Sequence, residues 1–464
     1  MLTREELESR LDTTFDQVVD DLKNLVRIPS VSAAAFDQST LGMSAAAVKE
    51  LFESVGLSAA VVSDGGSRPA VIAEKAGDEG TPSVLLYAHH DVQPPGDPAL
   101  WEQDDPFEPV ERNGRLYGRG TADDKAGVVA HVAALRILGD DLPATVRCFI
   151  EGEEEIGSPS FAPFLTAHAD ALEADTIIVL DSSNWKVGQP AVTTTLRGLA
   201  EAHVTVRVGD HALHSGMFGG PILDAPTLMA RLIATLHDER GAVAVDGLHS
   251  AGQAEVDYSE ADFRADSGVV DGYQVVTPIA QHLWNEPAIS VIGMDITSVD
   301  RRSNTIAPVC TAYLSLRVPP GEDPHGAFEA LRSHLLAHAP LGAEVTVTSG
   351  EAGPSYQASQ SAARAAAHEA LTDAWGTRSV EIGVGGSIPF IADFEKVFPA
   401  ADVLVMGIED PDTRAHSENE SMHIEELRRA VLAEAILLAK LAGVYSESSE
   451  SSESPASSSD SSSI

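Results

Sequence analysis

Histidines and carboxylates stand at the ends of several short apolar runs. SVLLYA (83–88) leads into His89, His90 and Asp91, TVRCFI (145–150) into Glu151-Gly152-Glu153-Glu154-Glu155, and TIIVL (176–180) into Asp181. VLVMGI (403–408) is followed a short loop later by His416, and the Gly-rich GRGTADDKAG (118–127) carries Asp123 and Asp124 just before a helical pattern. Each word alone says little, because in a chain this acidic three consecutive acids arise about once or twice by chance and usually mark a solvated loop. Gathered at one place they would form a metal site. Imidazoles and carboxylates without cysteine suit a catalytic zinc, since structural zinc prefers thiolates and closes its coordination sphere. Charge counting favours two ions: three carboxylates and one hydroxide neutralise two Zn²⁺, whereas a single ion leaves the cluster strongly anionic.

The elements around these words are of the kind that would gather them. AVIAE (70–74), SVLLYA, TVRCFI and TIIVLD (176–181) read as buried strands, and AGVVAHVAALRIL (126–138) between the second and third reads as a helix. Such alternation argues for an α/β fold with a mostly parallel sheet covered on both faces, whose ligands bind beyond the carboxyl ends of the strands. The first 22 residues place Leu7, Leu11, Phe15, Val18, Val19 and Leu22 at helical spacing. From about Gly198 the texture changes to strict alternation (EAHVTVRV, AISVIGMDITSV, CTAYLSLRV, AEVTVTS), which predicts an antiparallel sheet with one solvated face. The α/β texture then resumes. The expected organisation is a catalytic domain over 1–197 and 353–445, interrupted by an inserted α+β domain at 198–352. The serine-rich acidic stretch 446–464 has almost nothing to bury and is expected to be disordered.

Composition sets the limits. The chain has 464 residues, 43% of them hydrophobic, enough for a sizeable core in two domains. Its net charge of −41 repels phosphate backbones and anionic membrane faces, so neither nucleic acid nor membrane is an expected partner. Cys148 and Cys310 lie in apolar stretches that suit reduced, buried thiols. The acidic N-terminus lacks the basic start and apolar run of a signal peptide, and a cytoplasmic protein is expected.

Five words in order, YAHHDVQPPGDPALWEQDDPFEPVERNGRLYGRGTADDKAG, EGEEEIGS, LHSGMFGG, GGSIPF and AHSENE, resemble the carnosinase-like dinuclear zinc metallopeptidases. That family includes cytosolic dipeptidases, aminoacylases and carboxypeptidase-G-type enzymes. The resemblance runs to about residue 444. It implies that His89 and Asp181 ligate one zinc and Glu155 and His416 the other, with Asp123 bridging both ions across a cis bond to Asp124. Asp91 would orient the His89 imidazole, and Glu154 would be the general base. The inserted domain would serve as a lid and a homodimer interface, sending His214 across to the partner's oxyanion. Arg317 would clamp the substrate's terminal carboxylate, as a planar guanidinium does well, and Gly386, Ser387 and Ile388 would form a substrate-backbone loop.

Three positions depart from the family pattern without removing a ligand: Ala88 in place of Gly, Ala126 between Lys125 and Gly127, and His90, which sets a second imidazole beside the first. The implied activity is metal-dependent hydrolysis of dipeptides or short peptides, with two Zn²⁺ per subunit, although Mn²⁺ or Co²⁺ would accept the same ligands. The alternative is an N-acyl amino acid amidohydrolase with the same metal chemistry. A binding relative without catalysis would have lost one of the five ligands, and all five are present.

Overall fold

The computed structural model describes residues 1–386 and 389–446. The stretch 447–464, most of the serine-rich segment expected to be disordered, lies outside the described residues, as do Ser387 and Ile388.

A nine-stranded sheet carries the candidate site. At its centre Thr145–Glu151, Ser83–His89, Thr176–Val179 and Asp402–Val405 lie side by side and all parallel, so their carboxyl ends open on one edge. The flanks are antiparallel: Ala70–Lys75 runs against Thr145–Glu151, and Ser58–Val62 against Ala70–Lys75. An apolar run carries no sign of its direction, which is why the sequence leaves this orientation open. The alternation of side chains splits the core. Val84, Leu86 and Ala88 face one side, where they pack with the helices Arg4–Val26, Lys125–Leu138, Ala362–Trp375 and Ile424–Leu441. Leu85 and Tyr87 face the other and meet an aromatic cluster of Phe149, Phe161, Phe164, Phe390 and Phe394. Tyr87 alone touches four of these rings at 4.6–5.9 Å between centroids. The opening helix starts on a capping box, Thr3 accepting from the Glu6 amide while Glu6 accepts from that of Thr3.

The second sheet has four antiparallel strands in the order Ala288–Asp295, Val309–Val318, Gly198–Arg207, Glu344–Gly353. Its inner face closes over the helices Ala225–Ile233 and Pro324–Ala337 around Val204, Val206, Leu314, Leu316, Leu228 and Leu331. The strand Gly198–Arg207 shows the two-residue period directly, with every second side chain buried. No helix among the described residues is long and apolar enough to cross a membrane.

Candidate metal centre

The four parallel strands end where the sequence places its polar words. His89 is the last residue of its strand, Glu154 and Glu155 form a single helical turn three residues past Glu151, and Asp181 follows Val179 by two. His416 arrives on the loop after Asp402–Val405 with φ +63°, a left-handed conformation uncommon outside glycine. Asp123 and Asp124 are joined by a cis peptide bond at the start of the helix Lys125–Leu138.

Asp123 lies between the two imidazoles. Its Oδ1 is 3.0 Å from His89 Nε2 and its Oδ2 is 2.9 Å from His416 Nε2. On the first side Asp181 Oδ1 lies 3.8 Å and Glu154 Oε2 4.0 Å from His89 Nε2; on the second Glu155 Oε2 lies 3.1 Å from His416 Nε2. Candidate ligand atoms of His89, Glu154 and Asp181, and of His89, Asp123 and Glu155, fall within 4.8 Å of one another. Burial raises the pKa of Asp181 to about 7 and that of Glu154 to about 9. Bonds from Asp123 and Glu155 push His416 up to about 11. Burial works against Asp123 too, yet the two imidazoles hold its carboxyl below the ordinary range. Acids crowded this closely out of water demand cationic charge, and oxygen and imidazole donors on two sides of one carboxylate fit a pair of divalent metals.

The adjacent glutamates differ. Glu155 is almost fully buried, and both its oxygens accept from Gln93, from the backbone N–H at 3.0 Å and from Nε2 at 2.8 Å. Glu154, with 23% of its side chain exposed, accepts no hydrogen bond among the described residues and faces the opening. Asp91 acts on both glutamates, accepting the backbone N–H of Glu154 at 3.2 Å and of Glu155 at 3.1 Å. His89 Nδ1 is nearer to the Asp91 carbonyl, at 3.0 Å, than to its carboxylate, at 3.5 Å, so the main chain of Asp91 orients the imidazole as much as its side chain does.

Two further residues support the ligands through contacts that the sequence does not announce. Glu420, buried, accepts the backbone N–H groups of Gly120, Ala122 and Asp123 and the Arg119 guanidinium, and so clamps the loop that presents Asp123. Asp124 accepts the His89 N–H at 3.1 Å and caps the following helix through Gly127. The only sequence signal for Glu420 was its place in the AHSENE word.

The second imidazole is excluded by geometry. His90 points to the other face, its Nε2 donating to the Pro69 carbonyl at 2.8 Å, and burial lowers its pKa to about 4. His214 is not gathered into the centre: it is exposed, pairs in a two-residue strand with Thr305, and its Nδ1 accepts from the Gly216 N–H. Arg317 is half-buried on the second sheet opposite Leu199 and Ala288. Gly386 follows Gly385, whose carbonyl accepts from buried Arg197 at 3.2 Å.

The family model for peptidase family M20/M25/M40 matches residues 85–440. A cysteinylglycine-S-conjugate dipeptidase of Corynebacterium striatum is 35% identical over 379 residues, covering 79% of this chain and 82% of its own. The Cys-Gly metallodipeptidase dug1 of Schizosaccharomyces pombe is 24% identical, covering 96% of this chain and 99% of its own. The structure of human carnosine dipeptidase 1 superposes with a TM-score of 0.72 at 24% identity, over 95% of this chain and 99% of that one.

Proposed function

The chain is a peptidase of family M20/M25/M40, and from that premise we propose that it hydrolyses dipeptides, with two zinc ions held by His89, Asp123, Asp181, Glu155 and His416. The observation that carries this reading is Asp123, which offers one oxygen to each of two imidazoles and has a further carboxylate on either side. Bound there, the metals supply Lewis acidity that polarises a carbonyl and lowers the pKa of water. Glu154 takes the proton of the attacking water and returns it to the leaving amine, a role supported by its partly exposed, unbonded carboxylate beside buried, fully bonded Glu155. Asp91 fixes the turn that holds both glutamates. The names of the relatives support dipeptides and do not favour the N-acyl alternative.

The remaining roles belong to the same proposal. Arg317 binds the terminal carboxylate, Gly386 with Ser387 and Ile388 holds the substrate backbone, and His214 steadies the oxyanion from the partner in a homodimer. Dimerisation through the domain 198–352 is supported by its edge strand Ala288–Asp295, which is paired on one side only and exposes Val291, Ile292 and Met294. We also place the protein in the cytoplasm, supported by the buried free thiols Cys148 and Cys310.

Metal analysis coupled to a dipeptide panel tests the core of the reading. About two metals per chain, with cleavage abolished by a chelator and restored by Zn²⁺, Mn²⁺ or Co²⁺, is the expected result. Undiminished cleavage by metal-free protein would overturn it.

A further inference from the structure

Just past Asp181 and just before His416 the chain builds a cavity of about 400 Å³ that the metal ligands leave unused. Its floor is two strand extensions held together: Ser183 bridges to Glu409, and the Asn184 N–H donates to the Glu409 carbonyl at 2.8 Å. Glycine is required at position 407 for this approach, since a Cβ there would stand 1.4 Å from the Ser182 carbonyl oxygen. The wall is aromatic. Trp185 meets Tyr258 and Trp284 edge-on, at 4.8 and 5.7 Å between centroids. Tyr258 and Trp284 come from the inserted segment and Trp185 from the main body, so the cavity lies where the two meet.

The acids of its floor have unequal fates. Asp410 is engaged by Arg115 at 2.9 Å and by the Asp412 N–H at 2.9 Å. The Glu409 carboxylate accepts no hydrogen bond and forms no ion pair among the described residues, and the charges acting on it are those of the metal centre and its support: Asp123, Asp181 and Glu420, with His416 opposing them. Arg414 lines the same cavity without pairing to it. A carboxylate left without a partner in such a cavity is matched by an ammonium, and rings around it suit both the adjoining carbon skeleton and the cation itself.

We infer that this cavity receives the amino-terminal residue of the substrate, Glu409 accepting its free α-ammonium while Trp185, Tyr258 and Trp284 enclose its side chain. The inference rests on dipeptide hydrolysis and deepens it: Glu409 becomes the residue that tells a free amino terminus from an acyl chain. An acyl group brings no donor, so Glu409 stays unpaired and the complex is penalised.

The test uses the metal-loaded enzyme and three substrates sharing one scissile bond: a dipeptide, its N-acetyl derivative, and the analogue with hydrogen in place of the amino group. The wild type should prefer the dipeptide over both others by about 100-fold or more in kcat/KM. Glu409→Gln, with its metal content retained, should bring that preference below about tenfold, mainly by slowing the dipeptide. Trp185→Leu should shrink the difference between large and small amino-terminal side chains. Equal turnover of the three substrates by the wild type, or an undiminished preference in folded, metal-loaded Glu409→Gln, would overturn the inference. The wild-type comparison decides the matter even if the variant does not fold. A metal-loaded wild type that cleaved the N-acetyl substrate and no dipeptide would instead overturn the dipeptidase reading beneath it.

Discussion

The edge of the parallel sheet and the inserted segment carry residues from the same ordered set of words, yet they treat them differently. At the parallel edge three of the groups around the metals are tied down: His89 by Asp91 and Asp124, Glu155 by Gln93 and Asp91, and the Asp123 loop by Glu420. In the inserted segment His214 is exposed with one local bond, in a two-stranded pair apart from the four-stranded sheet, and that sheet's edge strand Ala288–Asp295 leaves Ile292 56% exposed. The first region gathers its ligands within one chain, whereas the proposed dimer would complete the second. Preorganised ligands with a fixed surround are what a metal needs, whereas groups awaiting a substrate or a second copy can remain in water. The contrast predicts that loss of a ligand from the first region removes metal and chemistry together, while damage to the second spares the metal.

The largest effect should come from Asp123. Asp123→Asn keeps the shape but removes the shared charge, and both imidazoles lose their common acceptor. Metal content should fall below one ion per chain and activity to background. A variant that kept two ions would show that the carboxylate does not bridge. Glu154→Gln should sharpen the contrast within the first region, retaining both metals while losing about 10²–10⁴ in kcat. Loss of metal from that variant would make Glu154 a ligand, which its place near His89 and Asp181 allows sterically.

Much of the parallel edge was legible because an apolar run announces a strand and the polar residues that end it must lie at the sheet's edge. TIIVL and VLVMGI announce in this way that Asp181 and His416 lie at that edge, where the structure has them. The choice between His89 and His90 needed the exact strand end, since consecutive side chains point to opposite faces and a shift of one residue exchanges them. Glu420 and Gln93 were hidden for a different reason. Glu420 works on residues about 300 positions earlier in the chain, and an acid's partner at that separation is set by tertiary approach rather than local pattern. Glu409 was hidden in the same way, since which acid of the E-D-P-D word stays unpaired depends on where Arg115 arrives.

The inserted segment should answer differently. His214→Ala should leave metal content intact and lower kcat about 10²–10³-fold if the imidazole stabilises an oxyanion. Mixing it with Glu154→Gln separates the two regions cleanly. A hybrid dimer places the intact His214 of one subunit over the intact Glu154 of the other and should recover one working site. Absence of recovery, with subunit exchange verified, would place His214 over its own chain's centre.

The smallest effect should come from Glu420→Gln, and it asks how much of the first region's order is held from outside the ligand set. Burial pushes the Glu420 pKa up, but Arg119 and three backbone N–H donors meet its two oxygens. A glutamine has one oxygen for those donors, and its NH₂ must face another N–H, a mismatch of about 1–3 kcal/mol. The loop carrying Asp123 should slacken while its ligands remain chemically intact. Metal affinity should therefore drop about 10–100-fold, and kcat should recover when metal is raised to saturation. If kcat stayed low at saturating metal, Glu420 would be shaping the reaction itself rather than the readiness of Asp123, and the line drawn between ligands and their support would have to move.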